Sequence, residues 1–143
     1  MKKKILLIAG GYSNEREISQ KTAKSVYSEL KKNKKYNLKI CEPDGSFIKK
    51  LRLFKPDVVL NLLHGRYGED GYIQAILESE KVKYTHSGVM SSSIAIDKEL
   101  SKKLFIKNKI LTPKYVIFEF KKNINKKNII KNIRKKLDFP VVI

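Results

Sequence analysis

Residues 2–19 read KKKILLIAGGYSNEREIS. From Lys4 to Ala9 the chain is one apolar run after its first residue, and it stops at Gly10-Gly11. A strand with one wet face alternates polar and apolar residues, whereas unbroken hydrocarbon marks a strand covered on both faces, as central parallel strands are. Beyond the glycines the period changes. Asn14 can cap a helix and Glu17, three residues later, completes a capping box. Ile18, Ala23, Val26, Tyr27 and Leu30 then recur as a stripe before the polar KKNKK (31–35). Strand, glycine turn and helix start together read as the first unit of an α/β sheet. Lysines before a greasy run also open secretory signals, but ILLIA (5–9) is too short and no small-residue cleavage site follows it.

Outward from this unit the alternation continues. YNLKIC (36–41) reads as a second strand, SFIKKLRLF (46–54) as a short helix closed by Pro56, and DVVLNLL (57–63) as a third buried strand. GYIQAILESE (71–80) is helical, KYTHS (83–87) a short strand, and VMSSSIAIDKELSKKLFIKN (89–108) helical in two pieces. Strands and helices in turn predict an α/β domain with a parallel sheet. Near Asp97 the composition shifts: residues 1–97 carry 18 basic and 11 acidic groups, residues 98–143 carry 14 and three. LTPKYVIFEF (111–120) reads as a strand. KKNINKKNIIKNIRKKLDF (121–139) reads as a basic amphipathic helix with Ile129, Ile130, Ile133 and Leu137 on its apolar face. A lysine-rich solvent face explains this helix better than a membrane or RNA surface does. FPVVI (139–143) is strand-like and uncapped, so the sequence is expected to be a portion of a longer protein.

At 143 residues, 41% of them hydrophobic, the chain can bury a core as one domain or as one domain and part of another. No stretch approaches ~18 consecutive apolar residues, so no transmembrane helix is expected. The one cysteine, Cys41, has no internal disulfide partner, which fits a reducing compartment and a core-filling role. The net charge of +18 raises nucleic-acid binding as a reading. Only four of the 32 basic residues are arginine, the side chain that reads phosphates and bases bidentately, so specific nucleic-acid recognition is not expected.

Ligands of open parallel sheets sit beyond the carboxyl ends of the strands. Two loops occupy that edge, GGYSNERE (10–17) and HGRYGEDG (64–71). G-x-G-x-x-G is absent, which argues against a Rossmann cofactor site. With Glu17 assigned to the capping box, Glu15 is left to face the sheet edge and receive a cation. His64, at the end of the third strand, can donate to or accept from a small polar ligand. His86 reads as structural, Asp70 as a helix cap, and Glu69 as a brace for Arg66 or the neighbouring loop. The residues alone imply a site for a polar molecule bearing an ammonium or a carboxylate, and no particular reaction.

Four stretches, GGYSNEREIS (10–19), LHGRYGEDGYIQA (63–75), YTHSGVMSSSIAIDK (84–98) and PVVI (140–143), together resemble the D-alanine–D-alanine ligases, ATP-grasp enzymes of peptidoglycan synthesis. HGRYGEDGYIQA fits the pattern H-G-x-x-G-E-D-G-x-aliphatic-Q-small at every constrained position. The resemblance implies a Rossmann-like N-terminal (pre-ATP-grasp) α/β domain over residues 1–97, its parallel sheet flanked by helices, and the start of an ATP-grasp domain over residues 98–143. Such enzymes phosphorylate one D-alanine with ATP and let the amine of a second attack the acyl phosphate. By motif position, Glu15 and His64 are the candidate catalytic residues. Glu15 would hold the ammonium of the first D-alanine, with His64 beside that substrate and Ile18 as an apolar contact. Lys98 would reach the ATP phosphates. Mg²⁺ would serve the complete enzyme, but its ligands are expected outside this sequence, so this portion alone is expected to be inactive. The resemblance also implies a cytoplasmic homodimer paired through the N-terminal domain, with no membrane partner. A stand-alone binding or dimerisation module is the alternative, and a ligase making D-alanyl-D-lactate a third reading.

Overall fold

The computed structural model describes residues 1–118 and 126–142. The described chain divides into two compact units, Met1–Lys98 and Glu99–Ile143.

The first unit is built on β1 (Lys3–Ile8), α1 (Arg16–Lys31), β2 (Tyr36–Cys41), α2 (Phe47–Phe54), β3 (Val58–Asn61), α3 (Tyr72–Ser79) and α4 (Val89–Ile96). The strands form one parallel sheet in the order β2-β1-β3, so the unbroken apolar strand is the central one. Its register is set on both sides: Ile5 pairs with Leu38 of β2 and with Val58 of β3. Side chains alternate across the sheet. Leu6 and Ile8 point into a cluster with Phe47 and Leu51 of α2, Val59 and Leu63, and Ile73 and Leu77 of α3. Ile5 and Leu7, also buried, are left for the other face, and α1 packs on β1 and β2. The connection from β1 to β2 through α1 and that from β2 to β3 through α2 put helices on both faces in this way. A parallel α/β sheet flanked by helices is therefore observed. Cys41 belongs to the α2/α3 cluster, and burial pushes its thiol pKa up, as suits a core filler.

Four local expectations are corrected. The capping box of Asn14 and Glu17 does not form, because α1 starts one residue later, with Glu15 at the N-cap position and no side-chain cap bond. Ser13 organises the turn instead: its carbonyl accepts from Arg16 N at 3.1 Å and its hydroxyl from Glu15 N at 3.2 Å. The stripe of α1 is narrower than its spacing suggests, since Ile18 is 55% exposed while Ser19 and Ala23 are buried. KYTHS makes only a single parallel bridge, Tyr84 to Val59. The Thr85 hydroxyl takes the Asn61 N–H at 3.1 Å, and His86 at φ 92° turns the chain out of extension, so no strand propagates. The described part of LTPKYVIFEF, residues 111–118, carries no regular element; Glu119 and Phe120 lie outside the described residues.

Asp44 lies in the turn before α2, and its pKa is lowered from 3.8 to about 2, chiefly by the Lys50 ammonium at 2.7 Å and then by Ser46. A depressed carboxylate stabilises the fold fully above its unfolded pKa. This contribution is expected to be present above pH 3.8 and to vanish as the pH falls through about 2. Acid titrations of stability should therefore be flatter in that window for Asp44→Asn; an unchanged slope refutes the assignment.

α5 (Lys98–Lys107) begins at the last residue of the first unit; the second unit holds the rest of it and α6 (Lys126–Arg134). The two helical pieces expected over residues 89–108 are observed, broken at Asp97, whose ψ of 102° is extended. Lys102, midway along α5, ties the helix to the following segment by donating to Thr112 Oγ1 at 3.0 Å and to Pro113 O at 2.8 Å. The helix expected over residues 121–139 is seen from Lys126; residues 121–125 lie outside the described chain. Ile129, Ile133 and Leu137 are half-buried and Ile130 is exposed.

Candidate functional site

The order β2-β1-β3 sets the loop after β1 beside the loop after β3. Two serines stitch them together. Ser19, fully buried at the start of α1, accepts from Gly10 N at 2.9 Å and donates to Leu62 O at 2.7 Å. Ser13 donates to His64 O at 2.8 Å. A buried hydroxyl with both capacities used contributes order without an unpaired polar group.

These stitches bring Glu15 against the histidine loop. A Cβ added to Gly65 would lie 2.7 Å from Glu15 Oε2, so the carboxylate rests on the bare glycine backbone. Gly65 also adopts φ 68°, a second reason for glycine there. Arg16, the adjacent cation, is held by Glu42 at 2.6 Å, and Gln20 donates to the same Glu42 oxygen at 2.9 Å. Among the described residues, the exposed carboxylate of Glu15 has no ion-pair partner. It is available to a cation from outside.

His64 is half-buried, with Nδ1 3.9 Å from Glu69 Oε1 and with Nε2 buried and lacking a hydrogen-bond partner among the described residues. It lines a cleft of about 270 Å³ with Gly10, Gly11, Leu63, Tyr67 and Tyr72. Glu69 braces the loop rather than Arg66, accepting from Gly65 N at 2.7 Å. Arg66 instead stacks over Tyr67, 5.0 Å from the ring centre. Asp70 accepts from Tyr67 N at 2.8 Å and Tyr72 N at 3.1 Å, closing the loop and holding the first amide of α3, although the cap position expected for it belongs to Gly71, one residue on.

Asn61 and Gln74 are essential to this loop, and sequence reasoning misses both. Each is fully buried and each donates to Gly68 O, at 2.7 and 2.9 Å. Asn61 Oδ1 also accepts from Leu63 N at 3.2 Å. A signal does exist: each is a polar residue among apolar ones, Asn61 in DVVLNLL and Gln74 in YIQAIL. A polar side chain in such a place needs partners. Backbone supplies them to both polar atoms of the Asn61 amide and to the Gln74 nitrogen, while Gln74 Oε1 is buried without a partner among the described residues.

Lys98 is exposed and donates to Ala95 O at 3.4 Å. It lines an open groove of about 410 Å³ with Glu69, His86, Ser87 and Ser92. Glu69 thus belongs both to the histidine loop and to the lysine groove. Ile18 stays exposed on α1. Among the described residues no group of three or more His, Cys, Asp or Glu could hold a metal ion, and no helix is long and apolar enough to cross a membrane.

A D-alanine–D-alanine ligase of Pelagibacter ubique is 62% identical over 143 residues, which are all of this chain and 46% of that protein. The chain belongs to the D-alanine–D-alanine ligase family. It corresponds to an N-terminal portion, and it spans less than half the length of the relatives it matches. A D-alanine–D-alanine ligase of Carboxydothermus hydrogenoformans is 41% identical over 140 residues, 98% of this chain and 45% of the relative. Among solved structures, the D-alanine–D-alanine ligase of Bacillus anthracis complexed with ATP superposes with a TM-score of 0.72 and 32% identity, over 90% of this chain and 44% of that one. No family model matches the chain. The resemblance carried by HGRYGEDGYIQA thus extends to relatives along the whole chain.

Proposed function

We propose that this portion forms the first-substrate wall of an ATP-dependent D-alanine–D-alanine ligase acting in cell-wall synthesis. The observation that carries the reading is Glu15. Its unpaired carboxylate lies on Gly65, beside a histidine loop that holds a buried, partnerless imidazole nitrogen. An amino acid offers the matching chemistry, an ammonium for Glu15 and a polar group for His64. Ile18, one turn along α1, would meet the substrate's methyl side. Lys98 would neutralise a phosphate of ATP from the adjoining groove; its ammonium and the Ser87 hydroxyl are donors that suit phosphate oxygens, while Ser92 donates to Ser87 O at 3.1 Å and shapes the groove wall. Mg²⁺ would come with ATP and be held elsewhere. Residues 1–97 form the substrate-wall domain in this reading and residues 98–143 begin the ATP-grasp region. The protein works in the cytoplasm as a dimer paired through its N-terminal domain.

Phosphoryl transfer rests on positioning and charge neutralisation by many groups acting together. A protein carrying this portion at the length of its relatives is expected to form D-alanyl-D-alanine with one ADP released per dipeptide. Residues 1–143 alone should release no phosphate above a Glu15→Gln control. Turnover by the short chain, or a long chain that ignores D-alanine, contradicts the reading.

A further inference from the structure

His86 stands on a backbone that histidine seldom adopts, at φ 92°. Left-handed conformations at non-glycine residues carry strain and persist where the surroundings hold them. Here the holder is Asn61, whose Nδ2 lies 3.2 Å from His86 Nδ1. The orientation of the Asn61 amide follows from its other partners. Its oxygen must face the Leu63 N–H and its nitrogen must face Gly68 O. The second amide hydrogen is therefore aimed at His86 Nδ1, which can only accept it. A histidine that accepts at Nδ1 keeps its proton on Nε2. The buried amide thus prepares an imidazole N–H donor on a residue that lines the groove shared with Lys98, Ser87 and Ser92. The acid lining that groove, Glu69, is already turned to Gly65 N and His64.

We propose that His86 is an oxyanion-binding residue, donating its Nε2–H to a phosphoryl or carboxylate oxygen held in the groove by Lys98. The proposal deepens the ligase reading and rests on it for the identity of the anion. Two sources share the chemistry, a phosphate group of the nucleotide or acyl phosphate and the carboxylate of the amino acid.

Long-range ¹H–¹⁵N spectra of the ¹⁵N-histidine-labelled chain test it, with the two histidines distinguished by His86→Gly. Glycine favours the backbone of this position, so that variant retains the fold. At alkaline pH the His86 ring is expected to show the Nε2–H pattern. Inorganic phosphate, titrated at constant ionic strength, should shift its Nε2 saturably, and Lys98→Gln should weaken that binding several-fold. D-Alanine forms the second arm. A shift with phosphate assigns the site to a phosphoryl group, and one with D-alanine alone assigns it to a carboxylate. An Nδ1–H pattern, or no shift with either anion, overturns the proposal. The His64 ring, labelled in the same samples and next to Gly65 on which Glu15 rests, reports D-alanine at that site, so failure of the Glu15 reading registers on a different histidine.

Discussion

Glu15→Gln, in a ligase carrying this portion, is expected to lower kcat/KM for D-alanine about 100-fold, or about 2.7 kcal/mol of lost stabilisation. The size follows from what is removed. A charge-assisted contact to an ammonium contributes roughly 1.5–3 kcal/mol, and among the described residues no ion-pair partner competes for this carboxylate, since Arg16 is held by Glu42. Glutamine preserves the shape that rests on Gly65, so the loop packing survives and the loss reports charge alone. Glu17, two residues on and exposed, supplies the control: Glu17→Gln places the same change in the same helical turn and should leave kcat/KM within about twofold. Equal effects of the two substitutions would mean that Glu15 acts through the general field of α1 rather than on the substrate. No effect of either would remove Glu15 from the site.

The large features of this fold were legible because they depend on composition over several residues. ILLIA was expected as a strand covered on both faces and DVVLNLL as a further buried strand of a parallel sheet, and both expectations match the sheet. That the loops after β1 and β3 both lie at the carboxyl edge of the sheet also followed from the sequence; the strand order β2-β1-β3 is what sets them side by side. What failed was decided by single hydrogen bonds. Asn14 and Glu17 satisfy the spacing of a capping box, yet Ser13 shifts the helix start by one residue because its hydroxyl is recruited by His64 O. KYTHS has the residues of a strand, but Thr85 spends its hydroxyl on Asn61 N and the chain turns at His86. Spacing rules cannot see which partner a hydroxyl will find across a loop. Asn61 and Gln74 illustrate the converse. Their burial was implied by apolar neighbours, but their shared acceptor, Gly68 O, exists only once the loop has closed.

Gly71→Ala is expected to destabilise the first unit by about 3 kcal/mol, the sum of a left-handed backbone and an overpacked contact. Gly71 adopts φ 96°, and an added Cβ would fall 2.4 Å from Ser93 Oγ and 2.9 Å from Val89 O. Ser93 cannot swing aside without loss, since its hydroxyl donates to Asp70 O at 2.7 Å and so joins α4 to the start of α3. The backbone carbonyl of Val89 cannot move without α4. Gly68→Ala belongs to the same class for a different reason: its Cβ would sit 2.4 Å from Leu63 Cβ, in the middle of the buried cluster, at an ordinary φ. Gly45 separates these causes from the general effect of replacing glycine. It has open space around its Cβ position and no left-handed φ, so Gly45→Ala should be neutral or stabilising by up to ~1 kcal/mol through the unfolded state. Urea unfolding of the three variants, followed by far-ultraviolet circular dichroism, reads the order directly. Losses of about 3 kcal/mol for Gly71→Ala with none for Gly45→Ala would show that the glycines of the histidine loop are sites of close packing. If Gly71→Ala unfolds at the parental urea concentration, α4 yields freely there, and the loop owes its shape to Asn61, Gln74 and Asp70 alone.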